Sequence, residues 1–572
     1  MARKKVAEVI VDVLESAGVK HCYGVVGDTL NHVTDAIRRS SIEWVHMRHE
    51  EVGAFAAGGE AFMTGRLTAC AGSCGPGSLH FVNGIFESHR NRAPVVLIAS
   101  QVATSELGID FPQEVDFEPI YRQCSVFCAT VNHPEQAERL VTLAAQAALT
   151  KRGVAVLIVP GDIAGMELAH VQGLRVHTSK PLTRPSDAEL DSMAAVLNAG
   201  KRIAVYAGAG CEAARDQVMR LCETLNAPMA HTSRAKDFVE HDNPYNVGMT
   251  GMMGGSAGFE AVMNCDTLVL LGCDFAWRQY YPKQARIVQI DIDPTHLGRR
   301  HPVEIGAVGD IATTLDALLP RLAHHDDGSY LEQARKNHRN MLKNWASQAE
   351  PGHRGLIHPQ HLVSLLDRHA SDDAIFTADA GTAMVWLLRY ISVNGKRRTL
   401  TSLLHGTMAN AMPQALGIKK ALPGREVIAI CGDGGLSMLL GDLITAVQEN
   451  IPLKIVVLNN GTLGFVELEM KVEGLLNAYT DLQNPDFAKL AEVIGFGGWT
   501  VRQNDELEAA LQAFLAHPGP ALLNVHVNRD ELVMPPKVEV EMATGTMMYG
   551  VRALLDGRVR EVVEMAETNL LR

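Results

Sequence analysis

Short apolar runs alternate with helix-like patterns along most of this chain. Ten of the runs have the composition of buried strands: HCYGVVG, LTACAGSCGPG, PVVLIAS, VAVLIVP, RIAVYAGAG, TLVLLGCDF, RIVQIDIDP, VIAICGDGG, LKIVVLNNG and ALLNVHV. Such alternation predicts an α/β fold, in which doubly wound parallel sheets carry helices on both faces. Several runs end in Gly or Asp, and open parallel sheets bind ligands beyond the carboxyl ends of their strands. The functional residues are therefore expected just after the strands.

Two interruptions divide this alternation. Around 164–188 the periodicity is lost and prolines occur, and around 320–358 the polar run HHDDGS precedes a charged helix and PGHRG. A chain of 572 residues is also too long for one hydrophobic core. We therefore predict three doubly wound domains and a C-terminal helical tail, with boundaries at 1–182, 183–334, 335–530 and 531–572.

The composition argues against several classes of protein. The formal charge of −13 disfavours nucleic acid as a partner, because nucleic-acid-binding proteins concentrate Lys and Arg on one face. The ten cysteines do not form two CxxC pairs, so we expect reduced thiols and no zinc site. Glu8, Asp12 and Glu15 interrupt the first apolar stretch, which favours an amphipathic helix over a signal peptide. No run of about 18 apolar residues occurs, so we expect no membrane-spanning helix and at most peripheral membrane contact.

The segment CGDGGLSMLLGDLITAVQENIPLKIVVLNNGTLG carries the clearest chemistry. Asp433 follows the strand VIAIC within a GDG turn, and Asn460 follows the strand KIVVL. A hard divalent cation prefers oxygen ligands, and a phosphate binds glycine amides and helix N-termini. Asp433 can supply a carboxylate, Asn460 a side-chain carbonyl and Thr462 a backbone carbonyl as metal ligands. Gly434 and Gly435 let the backbone approach a diphosphate before a helix that we predict to begin with SMLL.

A single GDG is a common turn, but its pairing with NN at a separation of twenty-four residues is more specific. Strand, GDG, helix, strand and NN in this order resemble the signature of the thiamine-diphosphate enzymes, without a gap or a substitution. The resemblance implies that thiamine diphosphate and Mg²⁺ bind here. The implied contacts are Asp433, Gly434, Gly435, Asn460, Gly461, Thr462, Leu463, Gly464, Phe465 and Val466.

A candidate for the activating carboxylate lies in MRHEEVGAFAAGGEAFMTGR, after the strand SIEWVHM. Glu50 and Glu51 are both possible, since acids are favoured in the first turn of any helix. Resemblance to the family pattern RHE-x-x-A-x-x-A-x-G assigns Glu50 to the hydrogen bond with the cofactor's pyrimidine nitrogen, which prepares a general-base step. The small residues of this helix allow close packing on the cofactor or on another subunit.

Residues 403–417, LLHGTMANAMPQALG, resemble the family's second cofactor loop. In that loop a bulky apolar side chain supports the bent cofactor, and Met408 is the candidate here. Gly406 and Thr407 would lie near the pyrimidine or the diphosphate. Without the resemblance, packing in the core is an equally good interpretation of Met408.

The middle segment has the pattern of a Rossmann-type domain, although a glycine loop such as Gly208–Gly210 is weak evidence for a bound nucleotide. Three further patches resemble the FAD-binding strips of pyruvate oxidases and acetolactate synthases, and they imply FAD. Asp291 or Asp293 could accept hydrogen bonds from ribose hydroxyls. The alternative is the same architecture with an empty nucleotide site. The implied FAD contacts are Gly251, Met252, Met253, Gly254, Asp274, Phe275, Ala276, Trp277, Arg278, Asp291, Ile292 and Asp293.

Over its whole length the chain is most similar to the quinone-linked bacterial pyruvate dehydrogenases, also called pyruvate oxidases. The resemblance implies that pyruvate, water and a membrane quinone, ubiquinone, give acetate, carbon dioxide and quinol through FAD in a homotetramer. It also implies that Phe465 enters the active site and that Glu469 contacts substrate. The alternatives are that Phe465 is a core residue and Glu469 a solvated acid. The family's substrate-facing Phe directly precedes Gln-Glu, whereas here Pro112 stands between Phe111 and Gln113.

The last residues have the pattern of an amphipathic helix from Val551 onward. Taken alone, such a helix more often docks on its own domain, and its charges balance. The resemblance implies a tail that covers the active site at rest and moves to phospholipid on activation, in a cytoplasmic enzyme bound to the inner face of the cell membrane. The apolar positions are Leu554, Leu555, Val559, Val562, Val563, Ala566 and Leu570.

Two other functions share most of these motifs. Acetolactate synthases use thiamine and FAD but join a second 2-oxo acid, and the amphipathic tail disfavours that reaction. A non-catalytic flavoprotein of the same fold is disfavoured because Glu50, Asp433 and Asn460 are all present.

Overall fold

The computed structural model describes residues 3–351, 356–533, 535–536 and 540–570. Part of the second predicted linker, 352–355, lies outside the described residues. So do positions 534, 537–539 and 571–572 of the predicted tail and the side chain of Leu570.

Three six-stranded sheets, each with only parallel strand pairs, form the body of the protein, which confirms the predicted α/β class. Helices lie between successive strands and cover the sheets. All ten runs picked from the sequence contain a strand.

The first sheet has the strand order β2-β1-β3-β4-β6-β5. Its strands are β1 (His21–Gly24), β2 (Glu43–His46), β3 (Thr68–Gly72), β4 (Val95–Gln101), β5 (Phe127–Thr130) and β6 (Val154–Pro160). Its helices are α1 (Val6–Ser16), α2 (Asn31–Arg38), α3 (Glu50–Thr64), α4 (Pro76–Leu79), α5 (Val82–Arg90), α6 (Phe117–Tyr121), α7 (Ala137–Lys151) and α8 (Gly161–Gly165).

The second sheet has the strand order β12-β11-β10-β7-β8-β9, that of a Rossmann fold. Its strands are β7 (Ile203–Ala207), β8 (Met229–His231), β9 (Asn246–Met249), β10 (Thr267–Leu271), β11 (Arg286–Asp291) and β12 (Ile305–Val308). Its helices are α9 (Asp187–Ala199), α10 (Arg215–Leu225), α11 (Lys236–Val239), α12 (Ser256–Met263), α13 (Ile311–Leu318) and α14 (Ser329–Gln348).

The third sheet has the order β14-β13-β15-β16-β18-β17, which repeats the order of the first. Its strands are β13 (Ile375–Ala378), β14 (Arg398–Thr401), β15 (Val427–Gly432), β16 (Lys454–Asn459), β17 (Gly497–Val501) and β18 (Ala521–His526). Its helices are α15 (Pro359–His369), α16 (Thr382–Tyr390), α17 (Ala411–Ala421), α18 (Asp433–Met438), α19 (Leu443–Gln448), α20 (Gly464–Val472), α21 (Phe487–Ile494) and α22 (Asn504–Ala516).

The first and third units share one hydrophobic core. A single cluster of buried side chains runs from Tyr23 and Phe81 in the first unit to Leu416 and Phe487 in the third. Helix α3 of the first unit and helix α17 of the third pack so closely that their backbones are in contact. A Cβ on Gly417 would lie 2.0 Å from the carbonyl oxygen of Ala56. The small residues of α3 therefore pack on a helix of the same chain.

The tail folds as two helices, α23 (Val540–Leu555) and α24 (Val559–Leu570). The prediction of one continuous helix from Val551 is wrong, because Gly557 adopts the left-handed conformation (φ 83°) that ends the first helix. α23 packs on α20, where a Cβ on Gly545 would meet the carbonyl oxygen of Val472 at 1.7 Å. Among the described residues, we find no helix with the length and hydropathy required to cross a membrane.

Candidate functional site

The GDG turn and the NN pair lie side by side at the carboxyl edge of the third sheet. Strands β15 and β16 are parallel neighbours, with Gly432 paired to Leu458. Asp433 begins α18 immediately beyond β15, and its carboxylate accepts hydrogen bonds from Gly434 N (2.9 Å), Gly461 N (2.7 Å) and Asn484 Nδ2 (2.7 Å). Asp433 therefore connects its own turn to the loop after β16.

The donor set around Asp433 fits a divalent cation. The residue is buried, and burial raises the pKa of its carboxyl. Its hydrogen-bond donors in the described chain are amides, and no Lys, Arg or His pairs with it there. A desolvated carboxylate without a cationic partner is costly, and a bound Mg²⁺ would supply that charge. Asn460 and Thr462 follow on the same loop, where Asn460 Oδ1 accepts from Thr462 N at 3.1 Å.

Two glycines allow close approach at this turn. A Cβ on Gly435 would lie 2.2 Å from Asp379 Oδ2, so no side chain fits there. A Cβ on Gly434 would contact Leu463 (2.8 Å) and Met408 (3.3 Å), which places the Met408 side chain over the turn.

The helix after the turn differs from the prediction. It begins at Asp433, before SMLL, and ends at Met438, and a separate helix starts at Leu443. At this break, the Asp442 carboxylate just before the second helix accepts a hydrogen bond from Arg48 N of the first unit at 2.8 Å.

Asp379, just after β13, was not predicted as a site residue. Its carboxylate accepts hydrogen bonds from Gly432 N (3.1 Å) and Ala411 N (2.9 Å), so it joins the GDG turn to the start of α17. Burial raises the pKa of Asp379 to about 7. The pattern strand-Asp-x-Gly in IFTADAG was the available signal, since it resembles the other strand ends of this chain.

Glu50 is the first residue of α3 and belongs to a cluster with two histidines. Its Oε2 lies 2.9 Å from His80 Nδ1, and the rings of His80 and His49 stack at 4.7 Å. The ligand atoms of the three side chains all lie within 4.8 Å of one another. A carboxylate next to an imidazole can hold and pass a proton. His80 was missed because no periodicity marks it in GPGSLH.

Glu51, the alternative to Glu50, has a different environment. Asn83 Nδ2 donates to Glu51 Oε1 at 2.7 Å and to Thr407 Oγ1 at 3.0 Å. Glu51 thus supports the loop of Gly406 and Thr407 from the first unit. Within the described residues of one chain, no hydrogen bond joins Glu50 to the GDG turn.

The residues predicted to contact substrate differ in how far they are buried. Phe465, in the first turn of α20, is half-buried against the core of the third unit. Glu469 is exposed. After Pro112, Gln113 has a positive φ of 69° and packs on Gly75, while Phe111 keeps 41% of its surface exposed.

The middle sheet offers a crevice where its strand order reverses, between β7 and β10. Gly208, Gly210 and Gly272 meet there, and a Cβ on Gly208 would lie 2.2 Å from the carbonyl oxygen of Gly272. Beside the crevice, a Cβ on Gly251 (φ 102°) would lie 2.5 Å from the Phe275 ring. The buried Thr250 hydroxyl has no hydrogen-bond partner in the described part of the chain, so a ligand group could satisfy it.

The predicted FAD contacts of the middle unit cluster at this edge. Phe275 packs against Trp277, Tyr206 and two further tyrosines, while Ala276 and Arg278 are exposed. Asp274 is paired with Arg299 and Arg300, which together outweigh burial and lower its pKa.

The two acids proposed for ribose differ in accessibility. Asp291 is buried and accepts from Asp293 N at 2.9 Å, with His296 Nδ1 at 3.2 Å. The Asp293 side chain caps the next turn by accepting a hydrogen bond from Thr295 N, and 43% of it is exposed. Ile292, between the two acids, is 50% exposed. Asp293 is therefore the more accessible acceptor. The Arg389 side chain of the third unit donates to the carbonyl oxygens of Met253 and Gly254, and Met252 is half-buried beside them.

Three family models match the chain. They are the thiamine pyrophosphate enzyme N-terminal TPP-binding domain at residues 4–120, the central domain at 190–318 and the C-terminal TPP-binding domain at 379–525. Each match falls on one of the three sheets.

Relatives of full length point the same way. A Bacillus subtilis protein named for thiamine pyrophosphate, YdaP, is 32% identical over 99% of both chains. The pyruvate oxidase of Lactiplantibacillus plantarum is 27% identical over 94% of this chain and 91% of its own. An acetolactate synthase of Arthrospira platensis is 30% identical over 92% and 94%.

Proposed function

Because this chain belongs to the thiamine pyrophosphate enzyme family, we propose that it oxidatively decarboxylates pyruvate, so that pyruvate, water and a quinone give acetate, carbon dioxide and quinol. It is an enzyme dependent on thiamine diphosphate, as thiamine pyrophosphate is also called. Two electrons and two protons pass from pyruvate and water to the quinone, which we propose to be ubiquinone. The observation that carries this choice over a carboligase is the exposed apolar surface of the tail.

The third unit would hold the metal and the diphosphate. Asp433, Asn460 and Thr462 follow two adjacent strands and would supply oxygen ligands for Mg²⁺. The backbone amides of Gly434 and Gly435 would bind the diphosphate, and Met408, next to Gly434, would support the cofactor. Thiamine diphosphate supplies the nucleophilic carbon and the electron sink for decarboxylation, and FAD supplies a two-electron carrier.

The first unit would handle the proton. Glu50 presents its carboxylate at the start of α3, where His80 Nδ1 at 2.9 Å can share a proton with Oε2. This pair suits the hydrogen bond to the pyrimidine nitrogen that the family resemblance assigns to Glu50. Glu51 and Asn83 would position Thr407.

The middle unit would hold FAD across the crevice between β7 and β10. The glycines at 208, 210 and 272 remove side chains from that edge, and the buried Thr250 hydroxyl beside Gly251, which has no partner among the described residues, could bond to a dinucleotide. Asp293 is the candidate ribose acceptor.

The tail favours a membrane quinone as the oxidant. Large apolar side chains of α23 and α24 are exposed although the helices are docked, among them Met547 (74%), Val551 (59%), Leu555 (84%) and Val559 (53%). An apolar patch of this kind fits a lipid surface. The last turn of α24 lines a cavity of about 510 Å³ together with Gly254 and Gly255, next to the proposed FAD strip. We propose a cytoplasmic homotetramer that binds phospholipid on the inner face of the cell membrane.

Anaerobic addition of pyruvate to the purified protein tests the reaction. We expect the flavin absorbance to bleach only when thiamine diphosphate and Mg²⁺ are present, and ubiquinone to restore it with one acetate formed per turnover. Formation of acetolactate without net flavin reduction would instead identify a carboligase. No reaction of any 2-oxo acid would support a non-catalytic flavoprotein.

A chain truncated after Met548 tests the tail. This variant lacks residues 549–555 of α23 and all of α24. If the tail is the lipid switch, the truncated protein is active without lipid, and phospholipid vesicles no longer stimulate it. Stimulation equal to that of the full chain would remove the tail from the proposal.

A further inference from the structure

The helix after the proposed metal loop contains a buried ion pair that the reaction does not use. Glu467 and Lys471 lie one turn apart on α20, each with 3% of its surface exposed, and Lys471 Nζ lies 2.7 Å from Glu467 Oε1. Replacing such a pair by apolar residues is often neutral or stabilising, so stability alone gives little reason for two charges here.

The second oxygen of Glu467 reaches the metal loop. Thr462 Oγ1 donates to Glu467 Oε2 at 2.6 Å, and its other acceptor, the carbonyl oxygen of Thr480, is farther away at 3.2 Å. The Glu467 carboxyl lies between two cations, since Arg529 Nη2 is 3.1 Å from Oε2 and Lys471 Nζ is 2.7 Å from Oε1. A hydrogen bond to a carboxylate paired in this way is charge-assisted, and such bonds are short and strong.

The backbone of the loop is held separately. Leu463 N donates to the carbonyl oxygen of Thr480 at 2.9 Å, and Leu482 N donates to that of Gly461 at 2.8 Å. These bonds fix the loop against residues 480–482. The Glu467 carboxylate adds a contact to the Thr462 side chain, on the residue whose carbonyl is the proposed ligand.

Lys471 extends the same network to the tail. Its Nζ lies 3.4 Å from Glu561 Oε1 of α24 and 5.2 Å from the ring centre of Tyr549 on α23. The Tyr549 hydroxyl in turn donates to Glu561, and Tyr549 is fully buried. The docked tail thus covers the ion pair and keeps water from it.

We propose that Glu467 is a positioning residue that fixes the orientation of Thr462 and with it the loop of metal ligands. Through Lys471, which contacts both Glu467 and the tail, the strength of this positioning depends on whether the tail is docked. The inference rests on the magnesium site of the proposed function. A ligand held by such a neighbour binds its metal more tightly because its orientation is fixed in advance.

Binding of thiamine diphosphate to the metal-free protein, titrated with Mg²⁺ and followed by calorimetry, tests the first half without relying on turnover. Glu467→Gln and Thr462→Val should each raise the Mg²⁺ concentration for half-maximal binding by about tenfold, the low end of the effect of losing a ligand's hydrogen-bond partner. The double variant should lose no more than either single one, because both changes remove one contact. Glu473→Gln, an exposed acid at the end of the same helix, is the matched control and should bind as the wild type does.

A lower unfolding temperature of Glu467→Gln with an unchanged Mg²⁺ requirement would reduce Glu467 to a structural residue and overturn the inference. If the wild-type protein itself binds no thiamine diphosphate with Mg²⁺, the proposed function fails instead. The two failures are therefore distinct.

Truncation after Met548 tests the second half. Removing the tail exposes Lys471 to water, which weakens the ion pair, so the Mg²⁺ requirement should rise by about threefold in an otherwise wild-type chain. In the Glu467→Gln background the truncation should add nothing. An equal shift of the Mg²⁺ requirement in both backgrounds, or no shift in either, would show that the tail does not act through Glu467.

Discussion

The first and third units have the same strand order but carry different chemistry at matching positions. β3 and β15 occupy the same place in their sheets, yet β3 is followed by Ser73 and a GPG turn, and β15 by Asp433. Likewise β2 leads to Glu50, whereas the corresponding β14 leads to the loop of Met408. The shared topology determines where ligands can approach, and the residue after each strand determines what can bind there.

The difference also divides the work of the proposed site. The first unit presents a carboxylate next to an imidazole, which suits proton transfer, and the third presents carboxylate and amide oxygens with glycines, which suit a metal diphosphate. A shared core and the close contact of α3 with α17 hold the two units together. Substitutions in the first unit should therefore affect turnover most, and substitutions in the third unit should affect cofactor and metal binding most.

The largest effect is expected on the proton-handling side. Glu50→Gln keeps the shape of the side chain but removes its ability to hold a proton, so turnover of pyruvate should fall by about 10²–10⁴-fold. Calorimetry should show little change in the binding of thiamine diphosphate. Glu51→Gln, the neighbouring substitution, should cost far less activity, and full turnover in Glu50→Gln would break the assignment.

The metal side should respond in binding. Asp433→Asn removes a charged ligand, so the affinity for Mg²⁺ in the presence of thiamine diphosphate should fall on the order of 100-fold, the upper end of the losses seen when a ligand's supporting contact is removed. The matched control is Ser73→Ala at the corresponding position of the first unit, which should leave Mg²⁺ binding unchanged. Equal losses in both variants would mean that the two strand ends are not specialised.

The contact between the two units can be tested by adding one methyl group. Gly417→Ala would place a Cβ 2.0 Å from a backbone oxygen of α3, and overpacking of this kind costs about 1–3 kcal/mol or more. The thermal unfolding midpoint should fall. Gly424→Ala, where nothing lies within 4 Å of the added Cβ, should not lower it.

The smallest effect is a pH dependence from Asp379. Its pKa of about 7 in the folded protein exceeds the value of about 3.9 expected in the unfolded chain, so the folded state binds the proton more tightly. This residue should therefore lower stability as pH rises from about 4 to about 7. Asp379→Asn lacks that ionisation, so its unfolding midpoint relative to the wild type should rise across this range and then level off. The exposed Asp372→Asn should show no such trend.

Much of the fold could be predicted from local sequence patterns. Most of the strands outside the ten apolar runs share one property, their position in the sheet. The ten long apolar runs all contain strands, because interior strands of a parallel sheet are buried on both faces. Most strands outside those runs lie at sheet edges, where burial is partial and the sequence is less apolar. These are β2, β5, β9, β12, β14 and β17.

The site was predictable where it is local in sequence. Asp433, Asn460 and Thr462 stand next to recognisable strands, and the structure places them along one edge. His80 and Asn83 could not be found this way, since their partners Glu50 and Thr407 lie far away in the chain. The prediction of a single long tail helix was wrong because the apolar periodicity continues across Gly557, whereas the backbone of Gly557 is left-handed and interrupts the helix.

The sequence by itself determined the α/β class, the residues that follow each buried strand and the signature of the family, since each of these depends on neighbours within a few positions. Only the tertiary structure decided that Asp379 supports the GDG turn, that α3 packs on α17 and that Glu467 connects Thr462 to the tail. Those contacts join segments up to several hundred residues apart, and packing selects them from many polar side chains that look alike in sequence.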